Sequence, residues 1–329
     1  MVRTGAQTYV KYGWESTYGG SATIDKKFGI QDALTSWSLT HNRVDLAALN
    51  QVTYESYAYG QQSGEISMDF VLSNPWVLRT LLGTPSKTGS SDPYTYTYPH
   101  ASNGINKQPQ SFSVEVGFNA SDSSGGDIVR TLKGCVASSL SISTSIGQTV
   151  NCSLSASYGK EDAPATTFGT APTEPTANTF PYTFAHAQLK YGGSVVAQVQ
   201  DLTININQTP SLLYGLNSHQ AVDSYRQIFD ITGSFKASLI NKTVLEDMLE
   251  QIKAGTSSGT YGETVGGSPE LEIAFTENTG DSITLTGTGL SPTSLSIDGI
   301  SPNEPVFENI EWRIKSLSIA AKNNQSAEE

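Results

Sequence analysis

A short pattern occurs twice in this chain, and its parts stand in the same order both times. The shared landmarks are a Gly-Asp pair, a glycine and a Ser-Leu-Ser-Ile sequence: Gly126-Asp127, Gly134 and Ser139-Leu140-Ser141-Ile142 in one half, and Gly280-Asp281, Gly289 and Ser294-Leu295-Ser296-Ile297 in the other. A chain that repeats a folded unit suits assembly into rings or arrays, because one surface chemistry is offered at two related positions. The repeat therefore favours a building block over a catalyst.

Composition and length fit two β-rich units. The 329 residues suffice for two domains of roughly 150 residues each. Only 15% of the residues are charged, and Ser, Thr, Gly, Tyr and Asn are abundant, which favours strands joined by turns over helices. The net charge of −12 opposes phosphate, which argues against a protein that grips nucleic acid but not against one that nucleic acid slides past.

The chain lacks the marks of membrane insertion or export. It has no run of 18 apolar residues, and its first residues lack the apolar region of a signal peptide. In the predicted hairpin that spans residues 136–158, Cys135 and Cys152 fall on opposite faces, so they are not expected to form a disulfide. Reduced thiols in a cytosolic product are the simpler interpretation.

The repeat predicts the layout of the chain. An N-terminal arm (residues 1–32) precedes a first domain (33–160), a Pro-rich linker (161–180), a second domain (181–323) and a short tail (324–329). In each domain a strand leads into a long, Tyr-rich excursion, predicted as a loop at 41–60 and at 208–227. A second strand follows, from Gly64 in the first copy and from Gly233 in the second.

One short helix is predicted after the second strand of each copy. Ser73-Asn74-Pro75 supplies start signals in the first, and residues 243–252 place apolar side chains at helical spacing in the second. Each copy then closes on a last strand, where Leu154-Ser155 is matched to Leu317-Ser318.

No pattern for catalysis or metal binding stands out. The four histidines and two cysteines have no ligand spacing, and the chain contains neither a nucleophile elbow nor a phosphate-binding glycine loop. No cofactor, metal or catalytic residue is therefore predicted.

Two sets of residues each allow two interpretations. On the predicted strands, Glu65, Asp69, Glu115, Glu270 and Glu272 alternate with apolar positions, as on an ordinary solvent face or on the lining of a channel. In the first excursion Tyr54, Tyr57 and Tyr59, with Arg43 and Asp45, fit either a contact surface or a mobile loop.

The N-terminal segment resembles a known family. Its residues Tyr12-Gly13-Trp14-Glu15-Ser16-Thr17-Tyr18-Gly19 and Phe28-Gly29-Ile30 are similar to the start of the tail tube proteins of long-tailed phages and related archaeal viruses. The segments Tyr59-Gly60-Gln61-Gln62 and Ser73-Asn74-Pro75-Trp76 are similar to the same group. The resemblance covers mainly the first 80 residues, while the order of strands and helix fits both halves.

The resemblance implies a fold and an assembly. Such proteins fold as an antiparallel β-sandwich or barrel with a flanking helix, join into rings of six folds, and stack the rings into a hollow tube in the virion tail for genome passage. With two tandem folds in one chain, three chains make a ring, and the acidic residues Glu65, Asp69, Glu115, Glu270 and Glu272 are expected to face its lumen. The long loops bridge rings, which assigns the inter-ring contact to Asn42, Arg43, Asp45, Tyr54, Tyr57 and Tyr59, and by the repeat to Tyr214, His219 and Tyr225.

The resemblance also implies partners. These are other copies of the chain, the tail tip or baseplate, tape measure and tail terminator proteins, and genomic DNA that passes without specific binding. The resemblance does not decide whether a sheath surrounds the tube. An alternative is a β-sandwich adhesin or receptor-binding protein, whose Tyr-rich loops hold a ligand; an enzyme would need a cleft with paired carboxylates, which the sequence does not offer on one strand or helix.

Overall fold

The chain is mainly β, as expected. The computed structural model describes residues 8–47, 49, 52–54, 56–98, 110–119, 127–165, 181–196, 198–238, 270–277, 280–299 and 305–325. Within these residues the helices are short, and none has the length and apolar character needed to cross a membrane.

The described strands are numbered in chain order. They are β1 (Thr8–Trp14), β2 (Ile30–Leu46), β3 (Ser56–Val71), β4 (Ser86–Thr88), β5 (Tyr94–Tyr98), β6 (Phe112–Phe118), β7 (Ile128–Ser145), β8 (Asn151–Tyr158), β9 (Lys160–Glu161), β10 (Ala187–Tyr191), β11 (Ser194–Val195), β12 (Val199–Tyr214), β13 (Ala221–Ser238), β14 (Leu271–Thr276), β15 (Ser282–Thr288), β16 (Ser291–Asp298), β17 (Phe307–Ile314) and β18 (Ser316–Asn323).

Eight strands form one continuous antiparallel sheet, called the large sheet below. Their order is β2-β3-β8-β7-β12-β13-β17-β16. Strands from both halves of the chain meet in its middle, where Ile142 of β7 lies opposite Ile204 of β12. Apolar residues alternate along these strands, so one face of the sheet is buried and the other is polar.

A second layer covers the apolar face of the large sheet. It consists of β1, β6, the first part of β7 and β9 over one half, and of the sheet β11-β10-β14-β15-β18-β5-β4 over the other. Val114 of β6 and Ile273 of β14 belong to the same apolar core as Ile66 of β3 and Leu140 of β7. The arrangement is a two-layer sandwich, because each layer has one apolar face to bury.

The two landmark glycines mark corners between the layers. Gly134 (φ 64°) lies inside β7, which pairs with β6 as far as Cys135 and with β8 from Val136 onward. Gly289 (φ 69°) lies between β15 in the second layer and β16 in the large sheet. Glycine adopts a positive φ without the steric penalty of a side chain, which explains its presence at both corners.

The Tyr-Gly-Trp-Glu segment has a structural role in the fold. The buried Glu15 carboxylate accepts hydrogen bonds from the Gly19 N–H (2.7 Å), the Ser113 hydroxyl (2.7 Å) and the Gly134 N–H (2.8 Å). One carboxylate thus satisfies two backbone donors and fixes the corner of β7. The buried contacts of this segment, rather than a catalytic role, explain its residues.

Parts of the expected arm, linker and tail are hydrogen-bonded to the rest of the fold. Residues 8–14 of the expected N-terminal arm form β1, which pairs with β6, and the expected linker begins with β9. In the expected C-terminal tail, buried Gln325 accepts hydrogen bonds from the Trp76 indole and the Tyr96 hydroxyl.

The two halves also share a sheet in the second layer. Strand β5 of the first half pairs with β18 of the second, from Tyr94 opposite Asn323 to Tyr98 opposite Ile319. The second-layer sheet of the second half therefore includes strands β4 and β5 of the first half.

Other expectations have mixed outcomes. The first predicted helix is present as a single 3-10 turn (Trp76–Leu78) that continues into α1 (Arg79–Leu82), with the Trp76 N–H donating to Asn74 Oδ1. The second, at residues 243–252, lies outside the described residues.

Matching Leu154 to Leu317 was wrong, because Leu154 lies in the large sheet and Leu317 in the second layer. Both cysteines are buried, and neither forms a disulfide in the structure.

Candidate assembly surfaces

The first Tyr-rich excursion is a β-hairpin and not a loop. Strands β2 and β3 continue their pairing far beyond the sandwich, with Arg43 opposite Tyr59 and Asp45 opposite Tyr57. Nearly all described side chains from residue 40 to residue 59 are exposed. The prediction of a long loop was wrong because polar side chains on both faces hide the alternation of a strand without core contacts.

One face of this first hairpin carries an ordered aromatic and ionic group. Arg43 Nε lies 2.5 Å from Asp45 Oδ1, and the guanidinium stands 4.5 Å from the centre of the Tyr57 ring. The Tyr57 and Tyr59 rings contact edge to face at 5.3 Å, and His41 packs against Tyr59. Because the strand pairing holds these side chains together, the surface is preformed.

Apolar side chains are exposed near the tip of the same hairpin. Val44 and Leu46 end β2, and Leu49, Val52 and Tyr54 follow in the connection to β3. Asn42 stands across from Gly60, where a larger residue would collide with the Asn42 backbone. A run of exposed apolar and aromatic residues on a rigid hairpin is typical of a protein contact surface.

The second excursion is also a hairpin, formed by β12 and β13, but its tip is hydrogen-bonded to β3 of the same chain. The Tyr214 hydroxyl donates to the Gln62 carbonyl at 2.8 Å, and the Gln62 N–H donates to the His219 carbonyl at 2.7 Å. A His219 ring nitrogen lies 2.9 Å from the Gly60 carbonyl oxygen. Of the three residues assigned here to a neighbouring ring, only Tyr225 is exposed without such a link to β3.

Further contacts anchor the stem of this second hairpin. Arg226 donates to the carbonyl of Leu81 in α1, and the Gln208 amide donates to the carbonyl of Ala137 in β7. No periodicity in the sequence predicted these links, because each joins residues more than 70 positions apart through a backbone carbonyl.

The five acidic residues divide between two faces. Glu65 and Asp69 alternate with core residues of β3 and are exposed on the polar face of the large sheet. Glu115 and Glu272 lie in the second layer, where Glu115 pairs with Lys11 (2.9 Å) and Glu272 with Lys190 (2.7 Å). Glu270 directly precedes β14 in that layer and is exposed. Alternation shows which residues avoid the core, but it does not reveal the layer to which a strand belongs.

The polar face of the large sheet is lined mainly by short neutral side chains. A single row across six neighbouring strands consists of Asp69, Ser153, Ser141, Asn205, Thr232 and Arg313. The next row contains Ser67, Ser155, Ser139, Asn207 and Asp230. Such a face is hydrophilic yet nearly free of long side chains.

The charges on this face are mostly negative. Arg313 is neutralised by Asp230 at 2.7 Å, and Lys236 lies 3.6 Å from Asp298. Glu65, Asp69, Asp201 and Glu311 have no ion pair among the described residues. The polar face therefore repels phosphate and offers it few cations.

Strands β2 and β16 end the large sheet on its two sides. A long strand at a sheet edge presents unpaired backbone N–H and C=O groups, which pair readily with another strand. These two edges are candidate contacts with other copies of the chain.

Comparison with known families identifies the family of this chain. A family model described as phage tail tube protein matches residues 5–314, nearly the whole chain. The chain belongs to the phage tail tube protein family. A comparison with curated proteins found no match.

Family membership confirms the resemblance seen in the N-terminal segment. The tail tube protein is a structural component of the virion tail that assembles with itself and with other tail components, and its family is not one of enzymes. One family model spans both halves of the chain, in agreement with the shared sheets described above.

Proposed function

We propose that three copies of this tail tube protein close into a ring, that rings stack into a hollow tube, and that the polar face of the large sheet lines the lumen through which the genome passes. The observation that carries the proposal is the junction between β7 and β12 inside one chain, which supplies a pattern for the junction between chains.

The proposal rests first on two copies of one fold. In the large sheet the order β2-β3-β8-β7 is followed by β12-β13-β17-β16, and each set places a long hairpin first. Gly64 of β3 lies under the Tyr158 ring, as Gly233 of β13 lies under the Trp312 ring.

A second pair of strands in the second layer supports the same correspondence. The Lys11–Glu115 pair between β1 and β6 matches the Lys190–Glu272 pair between β10 and β14. In both cases the lysine precedes a buried tyrosine and a glycine. We infer that the first unit starts at β1 rather than after an arm, and that the units divide near residues 166–180.

The internal junction predicts how chains join. Strand β7 ends the first set and pairs antiparallel with β12, which begins the second. By the same rule β16, which ends the second set, pairs antiparallel with β2 of the next copy. Eight strands from each of three copies give a closed barrel of 24 strands (8 × 3), in which every edge of the large sheet is paired.

The same rule sets the register between chains. Leu39 lies opposite Gly64 as Ile204 lies opposite Gly233, which makes Thr40 the counterpart of Asn205. Gly64 lies opposite Tyr158 as Gly233 lies opposite Trp312, which makes Phe307 the counterpart of Ser153. Asp298 lies opposite Phe307 as Ser141 lies opposite Ser153, so Asp298 is the counterpart of Ser141. Because Ser141 lies opposite Asn205, Asp298 of one copy is expected opposite Thr40 of the next.

A cysteine pair tests this register. The double variant Thr40→Cys/Asp298→Cys is expected to form a covalent three-chain species under mild oxidation, because directly opposed residues of antiparallel strands are within reach of a disulfide. Non-reducing electrophoresis reads out the product. The native cysteines are buried, so background cross-linking is expected to be low.

The matched controls are the two single variants, which offer no partner thiol at the contact. Covalent dimers and higher ladders without a closed three-chain band would refute the threefold ring, and no cross-linking at all would refute the β16–β2 contact.

The lumen assignment follows from chemistry. Short Ser, Thr and Asn side chains are neutral, and the unpaired carboxylates of Glu65, Asp201 and Glu311 repel passing phosphate, so DNA finds few free cations to bind by counterion release. Glu115, Glu270 and Glu272 fall on the second layer, which in this arrangement faces the outside of the tube. The tail tip or baseplate, tape measure and tail terminator proteins are the proposed partners at the ends and inside.

A further inference from the structure

A groove opens on the polar face at the end of the large sheet opposite the first hairpin. Its volume is about 480 Å³, and it is lined by Gln31, Asp69, Ser141, Ser143, Asn151 and Ser153 among others. The groove lies where the pairing of β2 and β3 is interrupted between Ile30 and Ala33, with Gln31 at φ 56°. An irregularity of this kind bends a strand away from its partner.

The groove and the first hairpin lie at opposite ends of the same strands. Strand β2 begins beside the groove and ends at the hairpin tip, and β3 returns from the tip to Asp69 and Val71. When identical copies stack head to tail, the hairpin end of one copy faces the groove end of the next.

The chemistry of the two surfaces is complementary. The polar lining of the groove offers a carboxylate, amide oxygens and hydroxyls, and it contains no basic residue. The hairpin face offers donors: the Tyr57 and Tyr59 hydroxyls and the Arg43 guanidinium, which keeps N–H groups free besides the one that binds Asp45. Asp69 has no ion pair among the described residues, so its carboxylate is available to a donor.

We propose that this groove receives the Arg43-Tyr57-Tyr59 face of the first hairpin from a second copy of the chain in the adjacent ring, with Asp69 as the acceptor for Arg43. The inference rests on the proposed function, since it requires stacked rings, and it names the receiving surface of the stack.

The second hairpin does not compete for the groove in the same way. Tyr214 and His219 hold its tip against β3, so a shorter part of this hairpin can reach another copy of the chain. Three free hairpins and three grooves per ring then give one contact of this kind for each chain.

The test uses a charge reversal with a control on the same strand. Asp69→Arg is expected to raise the critical concentration for tube growth about tenfold or more, because it places a cation against Arg43. Glu65→Arg makes the same change four residues away on the same face of β3, outside the groove lining, and is expected to leave the critical concentration within about threefold of the parent. Sedimentation and electron microscopy of the full chain measure both.

A double variant keeps the contact falsifiable. Asp69→Arg/Arg43→Asp restores opposite charges and is expected to recover at least part of the lost tube growth. Normal growth of Asp69→Arg, or no recovery in the double variant, would overturn this groove contact while tubes of the parent still form. Absence of rings in the parent protein would instead refute the proposed function.

Discussion

Replacing Gly233 with alanine is expected to lower the free energy of unfolding by about 3 kcal/mol or more. A Cβ atom at this position would lie closer than 3.0 Å to the Trp312 ring and to the backbone oxygen of Thr203. The ring is fully buried and the oxygen belongs to the neighbouring strand, so neither can move without breaking the large sheet. Chemical denaturation of the purified chain measures the loss.

The control for this change is Gly215→Ala. A Cβ at Gly215 would stand 3.5 Å from Val222, an ordinary van der Waals contact, so the free energy of unfolding is expected to change by less than about 0.5 kcal/mol. Equal unfolding midpoints for the two variants would show that the close approach of β13 to Trp312 is not required by the fold. Gly64 stands in the same relation to the Tyr158 ring, so Gly64→Ala should behave like Gly233→Ala.

Removing the aromatic face of the first hairpin is expected to abolish stacking without unfolding the protein. In the double variant Tyr57→Ser/Tyr59→Ser, two exposed anchors are lost that contact each other and few core residues. Aromatic anchors are each worth about 2 kcal/mol or more in an interface. The critical concentration for tube growth is therefore expected to rise on the order of a thousandfold, while rings still form.

Tyr225→Ser in the second hairpin provides the comparison. Tyr225 is also exposed, but its hairpin is fastened at the tip by Tyr214 and His219. We expect tube growth within about threefold of the parent protein, measured by pelleting over a concentration series. Loss of growth in Tyr225→Ser together with normal growth in the first-hairpin variant would reverse the roles assigned to the two hairpins.

The sequence was informative where backbone and core constraints act locally. Gly134 and Gly289 were singled out as landmarks, and both adopt a positive φ at a corner, a conformation that favours glycine. The buried strands β3, β8 and β12 were predictable because their apolar residues alternate against one core.

Prediction failed where residues act without a core or across a long distance. The strands of the first hairpin have no buried face, so nothing distinguished them from a loop. Glu115 and Glu65 show the same alternation, although they belong to different layers. The hydrogen bond from Tyr214 to Gln62 is accepted by a backbone carbonyl, which no side-chain pattern encodes.

A reconstruction of the assembled full-length protein by electron cryomicroscopy tests the central claim most directly. The account predicts three copies in each ring, β16 of every copy alongside β2 of its neighbour, and the Ser, Thr and Asn rows of the large sheet turned toward a central lumen. A ring with another number of copies, or one whose polar face points outward, would contradict it.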